Sequence, residues 1–307
     1  MSRSRPEPRP VAPAPMQRRD SSHSAFTLVE LLVVIGIIAL LISVLLPALA
    51  KSKEAANQVK CLSNMKQISI AIIAYANENK GVMPASGGFA AALGNTTDPT
   101  SSYDWIAWQR RKDFVTKRTH PQAADQNITY SGLAKYMGVK QQIHNSPDEA
   151  ATVNPTADQM FRCPSDNFES RGLSGGNPNL NIGWYRYSYS ANRFSMTEGK
   201  SPRKITQLRP GGQRLLLVCE DEKTLDDGVF NPNPTNYQQY LQNPNDTSKL
   251  TNLIASRHRL KRNETVRSMG DTFGNVTFAD GHGEFMSRRD ALRQRYTGNP
   301  AADPDGY

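Results

Sequence analysis

Cysteine is scarce in this chain, and the motifs of common catalytic centres are missing from it. Three cysteines in 307 residues are too few for a disulfide scaffold, and their odd number allows only one bridge within the chain. If the C-terminal part is exported, Cys163 with Cys219 is the expected pair, because Cys61 lies in a predicted helix. The sequence has no HExxH motif, no glycine-rich phosphate loop and no acidic loop suited to calcium. We therefore predict no catalytic residues, no metal site and no cofactor.

Hydrophobic residues make up only 37% of the chain, and many of them fall in one run. The 20 residues from Leu31 to Ala50 carry no charge and span roughly 30 Å as a helix, the thickness of a bilayer's hydrocarbon core. This pattern predicts a transmembrane segment at about residues 28–50. Glu30 and Pro47 are unusual in such a segment. A carboxylate in the membrane needs an interfacial position or a partner, and a proline predicts a kink or a melted turn.

A basic leader precedes the apolar run. Residues 1–25 contain five arginines and two acidic residues, which gives +3 of the net charge of +9, and they show no apolar periodicity. We expect them to lie outside the fold. An alternative is an ordinary secretory signal cleaved after the run, within LPALAKSKEAA. The length of the run and the helical pattern that continues through that site argue against this alternative.

The helical pattern continues well beyond the apolar run. After Lys53, apolar residues recur at spacings of three and four, which is typical of one helix face; they are Ala55, Val59, Leu62, Met65, Ile68, Ile72 and Tyr75. The pattern predicts one helix from about Thr27 to Asn79, with Gly81 in the C′ position.

Beyond this helix the sequence predicts short strands between turns. The segment WYRYSYS, residues 184–190, alternates aromatic and polar residues and predicts a half-buried strand. The segment RLLLV, residues 214–218, predicts a buried strand. Together with the helix, these strands indicate an α+β fold in which a long N-terminal helix packs on an antiparallel sheet.

A hairpin is predicted near the C-terminus, within GNVTFADGHGEFMS. Asp280 and Gly281 form the central pair of a two-residue turn between two strand-like segments. In that register Val276 faces Phe285, and the hairpin would lay this apolar face on the helix.

The string Ala25-Phe26-Thr27-Leu28-Val29-Glu30 resembles the processing site of type IV prepilins and type II secretion pseudopilins. The resemblance implies that a leader peptidase cuts between Ala25 and Phe26 and methylates the new amino group of Phe26. It also implies that Glu30 pairs with the amine of a neighbouring subunit, and that Pro47 corresponds to the family's proline. Ala25 stands where the family usually has glycine.

The rest of the chain resembles a bacterial subfamily of prepilin-like proteins with a C-terminal His…Asp-Gly signature. The similar segments are KCLSNMKQISIAIIAYANENKGVMP, FRCPSD, YSYSANRF and FADGHGEF. In the usual form nine residues separate the histidine from the Asp-Gly pair. Here His258 lies 22 positions before Asp280.

These resemblances imply a membrane-anchored structural protein that is not an enzyme. The expected organisation is a cleaved leader (1–25), a pilin helix (26–81) and an exported α+β domain (82–307). The protein would cross the inner membrane once, with a cytoplasmic N-terminus and a periplasmic or extracellular C-terminal domain. We expect it to be a minor or specialised filament subunit. Its partners would be the leader peptidase/methyltransferase, other pilin or pseudopilin subunits through the N-terminal helix, and inner-membrane lipid, with no specific nucleic acid.

Two alternatives are also compatible with the sequence. The chain could be a membrane-anchored module that binds an extracytoplasmic partner, or an exported metal-dependent enzyme built around His258, Asp280 and His282. Asp271 is a further candidate for a metal or hydrolase site near these residues in the sequence. Turn geometry already explains Asp280 and Gly281, and the basic run RHRLKR at residues 257–262 is typical of a solvated loop.

Overall fold

The computed structural model divides the chain into two compact units, residues 1–50 and 51–307. It describes residues 27–86, 105–106, 131–139, 155–166, 185, 187–197, 202–221, 224–225, 228–233, 235–236, 239, 242–243, 251–259 and 272–302. Three residues singled out by the sequence analysis lie outside these ranges: Ala25, Phe26 and Asp271.

The helix α1 extends from Leu28 to Glu78 and contains Pro47, close to the predicted bounds. At its C-terminal end the amide of Gly81 donates to the carbonyl of Ala76 at 2.7 Å. This bond spans five residues, so Gly81 occupies the C″ position of a Schellman-like end. Lys80, with φ of 56°, takes the left-handed C′ position, and Gly81 follows with φ of 82°. The prediction of Gly81 at C′ is therefore wrong by one residue.

A five-stranded sheet follows α1 in the chain, in the spatial order β3-β1-β2-β4-β5. All neighbouring strands are antiparallel except β1 and β3, which are parallel. The strands are β1 (Tyr189–Asn192), β2 (Leu215–Cys219), β3 (Val229–Phe230), β4 (Phe273–Phe278) and β5 (Gly283–Ser287). Short helices are α2 (Pro155–Met160), α3 (Arg288–Ala291) and α4 (Gln294–Thr297). The predicted α+β class is confirmed.

The two predicted central strands differ in outcome. β2 is fully buried, as expected, and is displaced by one residue from the predicted range. The half-buried strand predicted at residues 184–190 is wrong in extent and burial. The observed strand β1 begins at Tyr189, and all four of its residues are buried. Because β1 lies between β2 and β3 and has both faces covered, neither face of this strand is half-exposed.

The C-terminal hairpin has a three-residue loop instead of the predicted two-residue turn. The amide of Phe278 donates to the carbonyl of His282 at 2.9 Å, which leaves residues 279–281 as the loop. Within this loop only Gly281 has positive φ, at 90°. This is the pattern of a type I turn followed by a left-handed glycine bulge. The register shifts by one residue as a result, so Val276 pairs with Glu284 rather than Phe285.

The two faces of the sheet carry separate apolar clusters. The first contains the buried face of α1 with residues of β1 and β2, such as Tyr189 and Leu217. The second contains Val276 and Phe278 of β4 with Ala291 of α3. The prediction that the Val276 face lies on the helix is therefore wrong, because alternate residues of a strand point to opposite faces.

Two polar contacts join β4 to α1. Thr277 and Ser69 share a buried hydrogen bond of 2.7 Å between their hydroxyl oxygens. The side-chain amide of Asn275 donates to the carbonyl of Gln58 at 3.0 Å. These bonds attach the second half of α1 to the sheet, and that half carries one member of the cluster described below.

Candidate functional site

The N-terminus of α1 is closed by a capping box formed by Thr27 and Glu30. Oε2 of Glu30 accepts from the backbone amide of Thr27 and from its hydroxyl, both at 2.9 Å. In return, the amide of Glu30 donates to the Thr27 hydroxyl at 3.2 Å. This reciprocal arrangement satisfies two backbone donors that a helix start would otherwise leave free. Glu30 thus has a partner within its own chain.

The apolar side chains of this first unit are exposed. From Leu28 to Leu49 its large hydrophobic residues keep between 46% and 77% of their surface accessible. Within the described part of the chain, α1 is the helix whose length and hydropathy suit a membrane span, with a mean hydropathy of 3.0 over its best window. A helix that is apolar on all sides requires lipid or neighbouring apolar helices around it.

Pro47 lies inside α1 and removes one backbone donor from it. One turn earlier, the hydroxyl of Ser43 donates to the carbonyl of Leu40 at 2.7 Å. The kink expected at Pro47 stays a prediction.

A second group of candidate functional side chains is buried in the unit formed by residues 51–307. Cys61, Cys163, Cys219 and His258 bring three sulfur atoms and one imidazole nitrogen within 4.8 Å of one another. Cys61 lies on α1, Cys163 follows α2, Cys219 ends β2, and His258 lies in a 3₁₀ turn at residues 257–259. The Sγ of Cys163 is 3.3 Å from Nε2 of His258. We call these four residues the Cys/His cluster.

The segment that carries Cys163 is held by neighbouring polar groups. The amide of Cys163 donates to the Ser188 hydroxyl at 2.9 Å, and that hydroxyl donates to Asp166 at 2.6 Å. The side-chain amide of Asn64 on α1 donates to the carbonyl of Arg162 at 3.3 Å. These bonds place the cysteine between α1 and the sheet.

Charged groups flank the Cys/His cluster on two sides. Nδ1 of His258 lies 2.7 Å from Oε1 of Glu54, so the imidazole has a carboxylate behind it. On the other side, Nη1 of Arg257 donates to the Sγ of Cys219 at 3.2 Å. Nη2 of Arg257 lies 3.6 Å from a carboxylate oxygen of Asp166. A buried guanidinium beside a sulfur atom stabilises negative charge on that sulfur.

The cluster shifts the pKa values of its own members. Hydrogen bonds from Cys219 and Cys61 hold the pKa of Cys163 well below its ordinary range. Burial raises the pKa of Cys61. Burial also acts to lower the pKa of His258, but hydrogen bonding to Cys163 and Cys61 outweighs this effect and raises it to about 10. Hydrogen bonding to Cys163 also raises the pKa of Cys219, so the thiolate character of this buried group is concentrated on Cys163.

Comparison with protein families shows what kind of chain carries these features. Residues 20–46 match the prokaryotic N-terminal methylation motif, a range that includes Ala25, Phe26 and Glu30. Residues 50–234, more than half of the chain, match the family described as Protein of unknown function (DUF1559). The chain belongs to the DUF1559 family. Comparison with curated proteins and with solved structures found no match.

This member of the DUF1559 family is a prepilin-type protein with an apolar N-terminal helix that fits a membrane anchor. The recognition of a prepilin-like sequence is thus confirmed. The DUF1559 match includes Cys61, Cys163 and Cys219, and it ends before His258.

Within the described ranges, the structure does not bring His258 together with Asp280 and His282. His258 lies in the Cys/His cluster, whereas His282 stacks flat on Phe278, with 4.3 Å between ring centroids. Nδ1 of His282 is 2.5 Å from Asp280, and its Nε2 is 3.3 Å from Glu284. Among the described residues of this DUF1559 chain, His282 and Asp280 therefore belong to a hairpin turn rather than to a site shared with His258.

Two interpretations of the sequence are corrected by the cluster. The expected Cys163–Cys219 disulfide is not formed, because all three cysteines are free and buried. The basic run is also not simply a solvated loop, since Arg257 and His258 are buried at its start.

The Cys/His cluster was missed because its members are far apart in the chain and follow no recognised ligand spacing. The capping box could have been predicted from the sequence, since Thr27 and Glu30 match the Ser/Thr-x-x-Glu pattern.

Proposed function

We propose that this chain is a structural subunit, minor or specialised, of a type IV pilus-like or type II secretion-like filament, and that it is not an enzyme. The observation that carries the proposal is the N-terminal methylation motif at residues 20–46, joined to a capped helix with exposed apolar side chains. Such a helix is costly in water, and it is stabilised by lipid before assembly and by neighbouring helices afterwards.

The same motif supports a processing route and a topology. A leader peptidase/methyltransferase would cut between Ala25 and Phe26 and methylate Phe26. In prepilins this enzyme acts on the cytoplasmic side of the inner membrane. The chain would then cross the inner membrane once, with the folded unit that follows residue 50 in the periplasm or outside the cell.

Glu30 has two uses in this proposal. Before assembly its carboxylate caps α1 through Thr27, and cleavage before Phe26 leaves that capping box intact. In the filament the same carboxylate would pair with the positive amine of Phe26 on a neighbouring subunit. An unpaired charge among packed apolar helices is costly, so only a subunit in the correct register would be accepted.

Two substitutions of Glu30 separate the cap from the charge. Glu30→Gln keeps an oxygen that can accept from Thr27, because glutamine also closes a capping box, but it removes the charge. Glu30→Ala removes both. We expect both variants to insert into the membrane at normal or higher levels and both to be lost from sheared surface filaments. Thr27→Ala is the matched control, because it weakens the cap by about 1 kcal/mol and keeps the charge.

The measurement is the amount of each variant in the membrane and in sheared filaments of the native host. If Glu30→Gln enters filaments as well as the wild type while Glu30→Ala does not, the cap matters and the charge pair is wrong. If the wild-type chain itself stays in the membrane and enters no filament, the structural-subunit role is wrong, and the anchored binding module becomes the better account.

A further inference from the structure

The Cys/His cluster has the composition and placement of a metal centre. We propose that Cys61, Cys163, Cys219 and His258 bind one zinc ion in a closed, four-coordinate structural site. The inference is independent of filament assembly, since all four residues lie in the second compact unit.

The spacing of the ligand atoms fits a tetrahedral ion. Zinc binds thiolates at about 2.3 Å and imidazole nitrogen at about 2.0 Å, so the edges of such a tetrahedron are about 3.5 to 3.8 Å long. All four ligand atoms lie within 4.8 Å of one another, and the Cys163 sulfur is 3.3 Å from Nε2 of His258. Binding therefore requires only small side-chain adjustments.

Glu54 gives the histidine the orientation that a metal ligand needs. In the zinc-bound site Nδ1 would donate to the Glu54 carboxylate, 2.7 Å away, which leaves the lone pair of Nε2, 3.3 Å from the Cys163 sulfur, for the ion. A carboxylate behind a histidine ligand fixes the tautomer and increases the basicity of the ligating nitrogen. The Ser165 hydroxyl donates to the same oxygen of Glu54 at 2.7 Å and helps to hold it. Glu54 is thus a positioning residue.

The charges of the zinc ion and its four ligands nearly balance. Each cysteine coordinates as a thiolate and His258 as a neutral imidazole, so the remaining thiol protons and the proton on Nε2 of His258 are released to solvent as the Zn–S and Zn–N bonds form. Three thiolates, one neutral imidazole and Zn²⁺ carry a net charge of −1. The buried guanidinium of Arg257 lies 3.2 Å from the Cys219 sulfur and 3.6 Å from Asp166, and it stabilises negative charge on both groups.

The ligand set favours zinc and a structural role. Thiolates with one imidazole in tetrahedral geometry suit Zn²⁺, whereas carboxylate and carbonyl oxygens suit magnesium and calcium. Four protein ligands leave no position open for a substrate. The ion would join α1, the segment after α2, the end of β2 and the turn at residues 257–259.

The test is the metal content and coordination of the full chain, purified in detergent without chelators and then supplied with Zn²⁺ alone. We expect one zinc ion per chain by elemental mass spectrometry. X-ray absorption at the zinc edge should show three sulfur neighbours at about 2.3 Å and one nitrogen at about 2.0 Å. This measurement uses the wild-type protein, so it decides the matter even if ligand variants fail to fold.

Substitutions then identify the ligands and the positioning residue. Cys61→Ser and His258→Ala should each lose stoichiometric zinc, while His282→Ala, next to the loop of the C-terminal hairpin, should keep it. Glu54→Ala should weaken zinc binding by about 10- to 100-fold in a chelator competition. Glu78→Ala is the matched control on the same helix, because Glu78 contacts Lys135 and Tyr136 instead. Substoichiometric zinc in the wild type, iron in place of zinc, or a disulfide between two of the cysteines would overturn the proposal.

Discussion

The loop of the C-terminal hairpin allows a quantitative test of the fold, through substitution of Gly281 by valine. Gly281 has φ of 90° in the three-residue loop, a conformation that β-branched residues adopt poorly. Holding a non-glycine residue there costs about 1 to 3 kcal/mol.

The space around Gly281 indicates that this cost comes from the backbone. A Cβ atom added there would lie 3.5 Å from Cδ1 of Ile73 on α1, which is an ordinary van der Waals contact. Gly281→Val should therefore reduce the free energy of unfolding by about 1 to 3 kcal/mol. Gly281→Asn should cost less, because asparagine accepts left-handed conformations more readily. The difference between the two variants isolates the conformational term.

The assay is urea unfolding of residues 51–307, which form a compact unit. We expect a lower midpoint at an unchanged slope for Gly281→Val, together with a fall in melting temperature of about 2 to 12 °C. A Gly281→Val protein that unfolds with wild-type free energy would contradict the loop geometry. Equal losses for valine and asparagine would show that backbone conformation does not determine the cost.

Three other predictions concern the leader, the hairpin surface and the polar contact between α1 and β4. Intact-protein mass spectrometry from the native host should find a mature chain cut between Ala25 and Phe26 and carrying one added methyl group; a terminus after the apolar run would indicate an ordinary secreted protein. His282→Ala should cost about 0.5 to 1.5 kcal/mol, since the ring stacks on a phenylalanine, and a loss of zinc in this variant would contradict its placement. Ser69→Ala should cost about 1 to 3 kcal/mol because it leaves the buried hydroxyl of Thr277 without its partner. The double variant Ser69→Ala with Thr277→Val should be closer to wild type than the sum of the single changes, and strict additivity in denaturant unfolding would refute the hydrogen bond.

Patterns that repeat along the chain were predictable from the sequence. The apolar run, the spacing of three and four residues that follows it and the glycine after its end together located α1 to within one residue at each end. The buried strand β2 was located to within one residue for a similar reason, as a short run of apolar residues.

Features that depend on one residue of register were less predictable. Asp280 and Gly281 satisfy both a two-residue turn and a type I turn with a glycine bulge, and the two differ by one residue in strand pairing. Because of this one-residue difference, Val276 pairs with Glu284 instead of Phe285. The predicted cap of α1 was also wrong by one residue, because Lys80 takes the left-handed C′ position that was expected for Gly81.

The Cys/His cluster could not be predicted because only the tertiary fold assembles it. Cys61 and Cys163 are separated by about a hundred residues, and no local pattern connects them to Cys219 or His258. The odd number of cysteines was the available signal. An odd number of cysteines was interpreted as one disulfide with one free thiol, whereas all three cysteines are free in the structure.

The helix α1 carries both the filament motif and a ligand of the proposed zinc site. The two proposals predict that filament assembly and zinc binding can be lost independently of each other. Glu30→Gln changes a residue of the first unit, and we expect it to abolish assembly while the chain keeps one zinc ion. Glu54→Ala changes a residue behind His258, and we expect it to weaken zinc binding while processing before Phe26 continues. For each variant, sheared filaments measure assembly, elemental analysis measures zinc, and intact mass measures cleavage before Phe26. A Glu30→Gln protein without zinc, or a Glu54→Ala protein with an uncut leader, would show that the two functions of this helix cannot be assigned to separate residues.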